Sequence, residues 1–178
     1  PVRIYAGKAQ GVQQDKIVVM VSEFEPPQEI IKSLATTFMD WVEDKKCKMV
    51  ISPEGVASNS EGLPLAEMGE EEVKRRESEE ILVYGVGSTP KARELLAAHN
   101  IQVFNNGVVV GLAGVLLNEG GNRDFDVISI LSEAHSEYPD ARAAAAAARE
   151  IRNKAAGLGH FPARWARTPT RSVRRIRP

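Results

Sequence analysis

Lys16-Ile17-Val18-Val19-Met20-Val21-Ser22 is a nearly unbroken apolar run of strand length, and Lys48-Met49-Val50-Ile51-Ser52 is a second. Between them, from Gln28 to about Lys45, the residues Ile30, Ile31, Leu34, Phe38, Trp41 and Val42 recur at helical spacing and form one apolar stripe. Pro26 and Pro27 separate the first run from the helix, and Pro27 suits a first helical turn, where its missing N–H costs nothing. Strand, helix, strand, with strands apolar along their whole length, is the pattern of a parallel sheet joined by crossover helices. An α/β fold with a mostly parallel sheet follows.

Working outward, Val2 to Ala6 is β-prone and Gly11 to Asp15 reads as a turn, so the chain opens with a hairpin. Pro53 is expected to end the second strand, and Ala57 to Pro64, rich in Ser, Asn and Gly, reads as a loop. Glu67 to Glu80 is dominated by mixed charge and reads as a solvated helix or a mobile insertion. Ile81 to Val86 is a further strand, Pro90 to His99 a short helix carrying Ala92, Leu95 and Leu96, and Ile101 to Phe104 another strand. After an Asn105-Asn106-Gly107 turn, Val108 to Asn118 is apolar almost all round and predicts a buried helix, closed by Gly120-Gly121-Asn122 as a glycine cap. Asp126 to Ser132 is the last strand. Pro139-Asp140 starts the last helix, whose six alanines, Ala143 to Ala148, offer a smooth face for close packing, and Gly157 is expected to stop it.

The 178 residues fit a single domain, 1–157, with an Arg/Pro-rich tail over 158–178 that is expected to be flexible. The net charge of −1 conceals an asymmetry: residues 160–178 carry six arginines and no acid. Taking those six from the 23 basic residues leaves 17 against 24 acidic ones, or −7 for the rest. A basic arm of this kind attracts phosphate or acidic surfaces, and Arg171, Arg174, Arg175 and Ile176 are its candidate partner-binding residues. Cys47 is the only cysteine, which excludes an intrachain disulfide and a thiolate zinc site. No apolar run approaches a bilayer span and the N-terminus lacks the apolar core of a signal peptide, so a cytoplasmic location is expected.

Gly85-Val86-Gly87-Ser88-Thr89 follows a strand and precedes a helix, as a phosphate-cradling turn would, but Pro90 stands where the dinucleotide fingerprint has its third glycine, and no Walker lysine follows. A tight strand-to-helix turn is the simpler reading. Gly107, Gly111 and Gly114 would share one side of a helix and permit close packing against a strand. His99, His135 and His160 are scattered, with no metal-ligand spacing. Ser132, Glu133 and His135 could feed a nucleophile and base, without any nucleophile elbow to support them. Cys47, flanked by lysines 45, 46 and 48, could have a lowered pKa, although a half-buried residue at the start of a strand accounts for it better. No catalytic, cofactor-binding or metal residue is assigned.

Gly111-Leu-Ala-Gly114-Val-Leu116-Leu117-Asn-Glu119, then the strand at 126–132, then Tyr138-Pro139-Asp140-Ala141-Arg142-Ala143-Ala144, is an order that resembles the proteasome assembly chaperone family. Val21-Ser-Glu-Phe-Glu-Pro-Pro27 and Met49-Val-Ile-Ser-Pro-Glu-Gly55 are similar to the family's strand ends, and the likeness covers about residues 16–157. It implies a three-layer, nucleoside phosphorylase-like α/β sandwich without enzymatic residues, with Gly107, Gly111, Gly114, Leu116, Leu117, Glu119, Pro139 and Asp140 as signature positions. It also implies an oligomeric scaffold for proteasome α-subunits. The chain starts at Pro1, which looks as though the family's N-terminal strand and helix start are missing, and it ends Ile176-Arg177-Pro178 where relatives carry a hydrophobic-tyrosine-any tail.

The resulting expectation is a non-enzymatic chaperone or scaffold, homo-oligomeric, without cofactor or membrane contact, acting on a protein client such as a proteasome subunit. An enzyme of phosphorylase-like fold using the glycine turns for a phosphate-bearing or nucleoside ligand is the alternative, and nucleic-acid binding through the tail is a third reading.

Overall fold

The computed structural model describes residues 2–8, 16–57, 81–134, 140–159 and 174–175. The charged segment 67–80, together with His135, Pro139, His160, Arg171 and Ile176, lies outside them. In chain order the elements are β1 (Val2–Lys8), β2 (Lys16–Ser22), α1 (Gln28–Asp44), β3 (Val50–Ala57), β4 (Val83–Gly87), α2 (Pro90–Ala98), β5 (Gln102–Val103), α3 (Gly111–Asn122), β6 (Val127–Ala134), α4 (Ala141–Gly159) and β7 (Arg174–Arg175).

β1 and β2 form the expected antiparallel hairpin, in unbroken register from Val2 opposite Ser22 to Lys8 opposite Lys16. β7 pairs antiparallel with the other side of β1, giving a three-stranded sheet of order β2-β1-β7. The second sheet has four strands in the order β3-β6-β4-β5. β3 with β6 and β4 with β5 are parallel, while β4 runs antiparallel to β6, so the sheet is mixed and mostly parallel.

β6 is the centre of the molecule. Val127 to Ser132 are buried without interruption, the mark of a strand covered on both faces. Val127 joins Val50, Ala35, Met39 and Val42 of α1 and Leu116 of α3 in one core, against which Phe38, Trp41, Cys47 and Phe125 also pack. Ile128 and Ile130 point the other way, into a second core with Ala92 and Leu96 of α2, Ile101 and Ala147 of α4. Alternation along one strand thus feeds two helical layers, α1 with α3 on one face and α2 with α4 on the other. The alanine run works as its composition implies: Ala143 and Ala147, one turn apart, are each 2% exposed, and their small size brings α4 close to the sheet.

Five expectations are corrected. β2 and β3, read as strands of one parallel sheet joined through α1, lie in separate sheets, because β2 pairs along its whole length with its hairpin neighbour β1 while β3 pairs with β6. Strand β3 does not end at Pro53 but continues to Ala57. It lies at an edge of the sheet, where a residue with no N–H to give the open side breaks no ladder bond. The helix expected from Val108 begins at Gly111, because three consecutive β-branched valines favour extended backbone and Gly111 takes φ +67°. Gly107 is therefore outside α3, and the three glycines do not share a helix side. Gly120 and Gly121 do not cap α3 but lie within it, and Arg123 occupies the C-cap. The last helix runs past Gly157 to Gly159.

Candidate partner-binding surface

The turn at Gly87-Ser88-Thr89 is the most heavily bonded junction among the described residues. Thr89 is the N-cap of α2: its hydroxyl oxygen accepts from the Ala92 N–H at 3.0 Å, and Pro90 follows at the start of the helix. The same hydroxyl donates to Asp126 Oδ1 at 2.5 Å, and Lys91 Nζ lies 2.7 Å from Asp126 Oδ2. Ser88 Oγ donates to the Phe125 carbonyl and accepts from the Val127 N–H, each at 2.8 Å. Two adjacent hydroxyls therefore tie the end of β4 to the start of β6, which explains how these antiparallel neighbours hold their register.

An open cavity of about 380 Å³ is lined here by Thr89, Pro90, Lys91, Asp124 and Asp126. Asp126 is only 8% exposed. Desolvation, the largest influence, pushes its pKa up, but the Lys91 hydrogen bond, the Thr89 hydrogen bond and the Lys91 charge together hold it below the usual carboxylate value. A carboxylate already bonded to its neighbours at a helix N-terminus repels a phosphate rather than receiving one, so the turn reads as a strand-to-helix junction. With its pKa depressed on folding, Asp126 adds stability that is fully present above the unfolded value and is lost as pH falls through the folded one. Asp126→Asn should lose about 1.5 kcal/mol at pH 7, in line with a hydrogen bond to a charged group, and the deficit should shrink in acid. Urea unfolding at both pH values measures this.

The signature residues of α3 mostly face inward. Leu116 is 2% exposed, Leu117 packs at the margin of the same core, and Gly114 sits so close to the Val109 carbonyl that a Cβ would collide with it. Glu119 accepts from Arg123 Nη2 at 3.0 Å and Nε at 3.2 Å, while Arg123 Nη1 donates to Asp40 at 2.7 Å and to Glu43 at 3.2 Å. That fork clamps α3 to α1. Asp140 accepts from the Arg142 and Ala143 N–H groups at 2.9 and 3.0 Å, capping α4. Gly107 takes φ +134° against the Phe104 ring, which meets Tyr84 edge-on at 5.9 Å. Arg174 and Arg175 pair with Ala6 and Tyr5 of β1.

What the sequence reading missed is the segment between that glycine and α3. Val108 and Val110 are 81% and 72% exposed, the most exposed large apolar residues among those described. The available signal was the valine run directly after an Asn-Asn-Gly turn, which suits extended backbone better than a first helical turn.

Other candidates resolve plainly. Ser132 is buried inside β6 and the Glu133 N–H donates to the Leu82 carbonyl, so this pair is part of the sheet. Cys47 is half-buried, and burial raises its thiol pKa, the opposite of the lowering its lysine neighbours implied. No group of three or more His, Cys, Asp or Glu among the described residues could hold a metal, and no helix among them is long and apolar enough to cross a membrane. Glu54, on β3, has its pKa raised first by burial and further by the Glu25 charge, against a lowering by the Gly55 backbone. A carboxyl raised on folding loses stability as pH rises through its folded value. Glu54→Gln should therefore raise Tm at pH 7 and leave it unchanged below the unfolded carboxyl range, as thermal unfolding at the two pH values would read.

The fold is that of a mixed-sheet α/β domain with helices on both faces and apolar side chains left on its rim. The PAC2 family model matches residues 1–162, and the chain belongs to that family. Among solved structures it is similar to Pyrococcus furiosus PbaA, "an archaeal homolog of proteasome-assembly chaperone", with 20% identity and a TM-score of 0.65 over 80% of this chain and 53% of that one. It is also similar to Pyrococcus furiosus PbaB, "an archaeal proteasome activator", with 19% identity and a TM-score of 0.68 over 90% of this chain and 63% of that one. A Mycobacterium tuberculosis protein of unknown function, Rv2714, shares 13% identity with a TM-score of 0.61. These likenesses establish the fold, and the chain spans less than two thirds of the length of each structure. No curated protein sequence matches it.

Proposed function

We propose that this chain is a non-enzymatic assembly chaperone or scaffold whose client is a proteasome α-subunit or a similar protein. The observation that carries the reading is the exposed Val108 and Val110 just before the signature helix, since two large apolar side chains left in water two residues apart offer a protein partner apolar surface to cover. Family membership and the names of the two Pyrococcus proteins favour a proteasome-related client. The polar groups support binding over catalysis: Asp126, Thr89, Arg123 and Glu119 are engaged in holding elements together. A nucleoside phosphorylase-like layering, a cytoplasmic location, a homo-oligomeric state and the appended arginine-rich segment belong to the same proposal.

Co-purification with proteasome α-subunits at low salt, read by native mass measurement, tests it. A complex should form with the unaltered chain and be lost in Val108→Asp/Val110→Asp, whose buried cores are untouched. No complex at any salt would end the reading. The alternative, a phosphate-bearing ligand at 85–89, finds little support beside Asp126, and a thermal-shift screen with nucleosides, phosphate and ATP would expose it, because a specific ligand stabilises by mass action.

A further inference from the structure

Gly107, Gly111 and Gly114 are spread around one short segment, and each meets a different demand there. Val108, Val109 and Val110 connect Gly107 to α3, with Val110 extended at φ −104° and ψ −180°. Val108 and Val110 are exposed and Val109 between them is half-buried, the alternation of an extended segment, in which residues two apart share a side. Gly107 enters the segment at φ +134° and Gly111 leaves it at φ +67°, values that L side chains rarely adopt.

A Cβ on Gly111 would meet nothing within 4 Å, so the demand at this position is purely conformational. At Gly114, in the first turn of α3, the demand is space, because a Cβ there would collide with the Val109 carbonyl. A side chain at either position favours a second path for the chain, in which α3 extends backwards through the valines. Residues two apart in a helix point about 200° away from each other, so on that path Val108 and Val110 separate.

We infer that Gly111 and Gly114 are positioning residues for the exposed valine pair. Gly111 turns the chain out of α3, Gly114 admits the Val109 carbonyl, and together they hold Val108 and Val110 side by side as a preformed two-point apolar contact. A contact ordered before binding costs less to form than one ordered on binding. From Ile101 to Asn118 the chain carries no charged residue, so the partner surface that this contact fits is apolar and uncharged. What the pair binds rests on the proposed function; how the pair is held rests on the geometry alone.

Two measurements on variants of the full chain decide it. The Cα chemical shifts of Val108, Val109 and Val110 report backbone conformation with no client present. The unaltered chain and Gly111→Asn should show extended values at all three, since asparagine tolerates a left-handed φ. Gly111→Ala and Gly114→Ala should move them toward helical values. The first acts through a φ strain worth about tenfold in population, the second through collision, and alanine suits a helix interior, so α3 itself survives. Native mass measurement with proteasome α-subunits then reads capture. Each alanine variant should weaken it about tenfold, in proportion to the extended fraction that remains, Gly111→Asn should preserve it, and added salt should change it little. Helical shifts in the unaltered chain, alanine variants with unmoved shifts, alanine variants with moved shifts but full capture, or capture abolished by salt would each overturn the inference. An unaltered chain that captures no α-subunit while all the shifts behave as expected sinks the client and upholds the positioning of the valines.

Discussion

Leu116→Ala should lower the unfolding free energy by about 2–5 kcal/mol, the range for emptying a fully packed leucine site. Leu116 is 2% exposed and stands between α1 and β6, in a core with Met39, Val42, Val50 and Val127. The two helices that would have to close the void are already fixed by the Arg123 fork to Asp40, Glu43 and Glu119, so relaxation is limited and the upper half of the range is expected. Leu117→Ala is the internal comparison. Its side chain lies at the margin of the same cluster and is only partly buried, so the loss should be clearly smaller. Urea denaturation of the two variants gives the contrast, and equal losses would contradict Leu116 as the inward face of α3.

Gly120→Val should destabilise by about 3 kcal/mol or more, at or beyond the upper end for ordinary overpacking. A Cβ at this position would stand 2.5 Å from Val127 Cγ2, 2.8 Å from the Phe125 carbonyl oxygen and 3.0 Å from Ser88 Oγ. Valine adds two further methyl groups to that space. The Phe125 carbonyl is backbone and also accepts the Ser88 hydroxyl, so displacing it disturbs the tie between β4 and β6 as well as the helix packing. Gly121→Ala next door meets nothing closer than the Ser88 carbonyl at 3.6 Å and should be tolerated. Thermal unfolding of both variants distinguishes a packing requirement at Gly120 from a general glycine preference at the end of α3.

Gly120 also shows where sequence reading stops. A Gly-Gly-Asn string at the end of an apolar segment is the local signal for a helix cap, and locally that is correct physics. Here the glycine is needed because β6 and the loop before it press against that turn of α3, an event that involves residues outside the helix. Pro53 misled in a similar way: as a local breaker it should end β3, and only the strand's place at the sheet edge lets the pairing continue. The exposed Val108 and Val110 were legible in principle from three valines after a turn, but their apolar character drew them into the helix assignment.

The candidate site divides along the same line. Thr89 ahead of Pro90, and Asp140 ahead of the alanine run, are cap signals that a sequence displays. That Asp126 joins Thr89 across 37 positions, and Lys91 with it, is not displayed anywhere, because nothing adjacent to Asp126 distinguishes it from a solvated loop aspartate. The Arg123 fork to Asp40 spans 83 positions and is equally silent in the sequence.

By itself the sequence determined the elements: the strand run at 16–22, a strand opening near Val50, the amphipathic α1, the proline-marked starts of α2 and α4, and the family to which their order belongs. Each of these follows from residues within a few positions of one another, through side-chain periodicity, propensity and capping. Tertiary structure alone decided that β4 lies antiparallel to β6, that β3 is an edge, which glycine admits a neighbouring strand, and which valines are left facing solvent. Those outcomes depend on which distant segments come into contact, and burial energy is assigned only when they do.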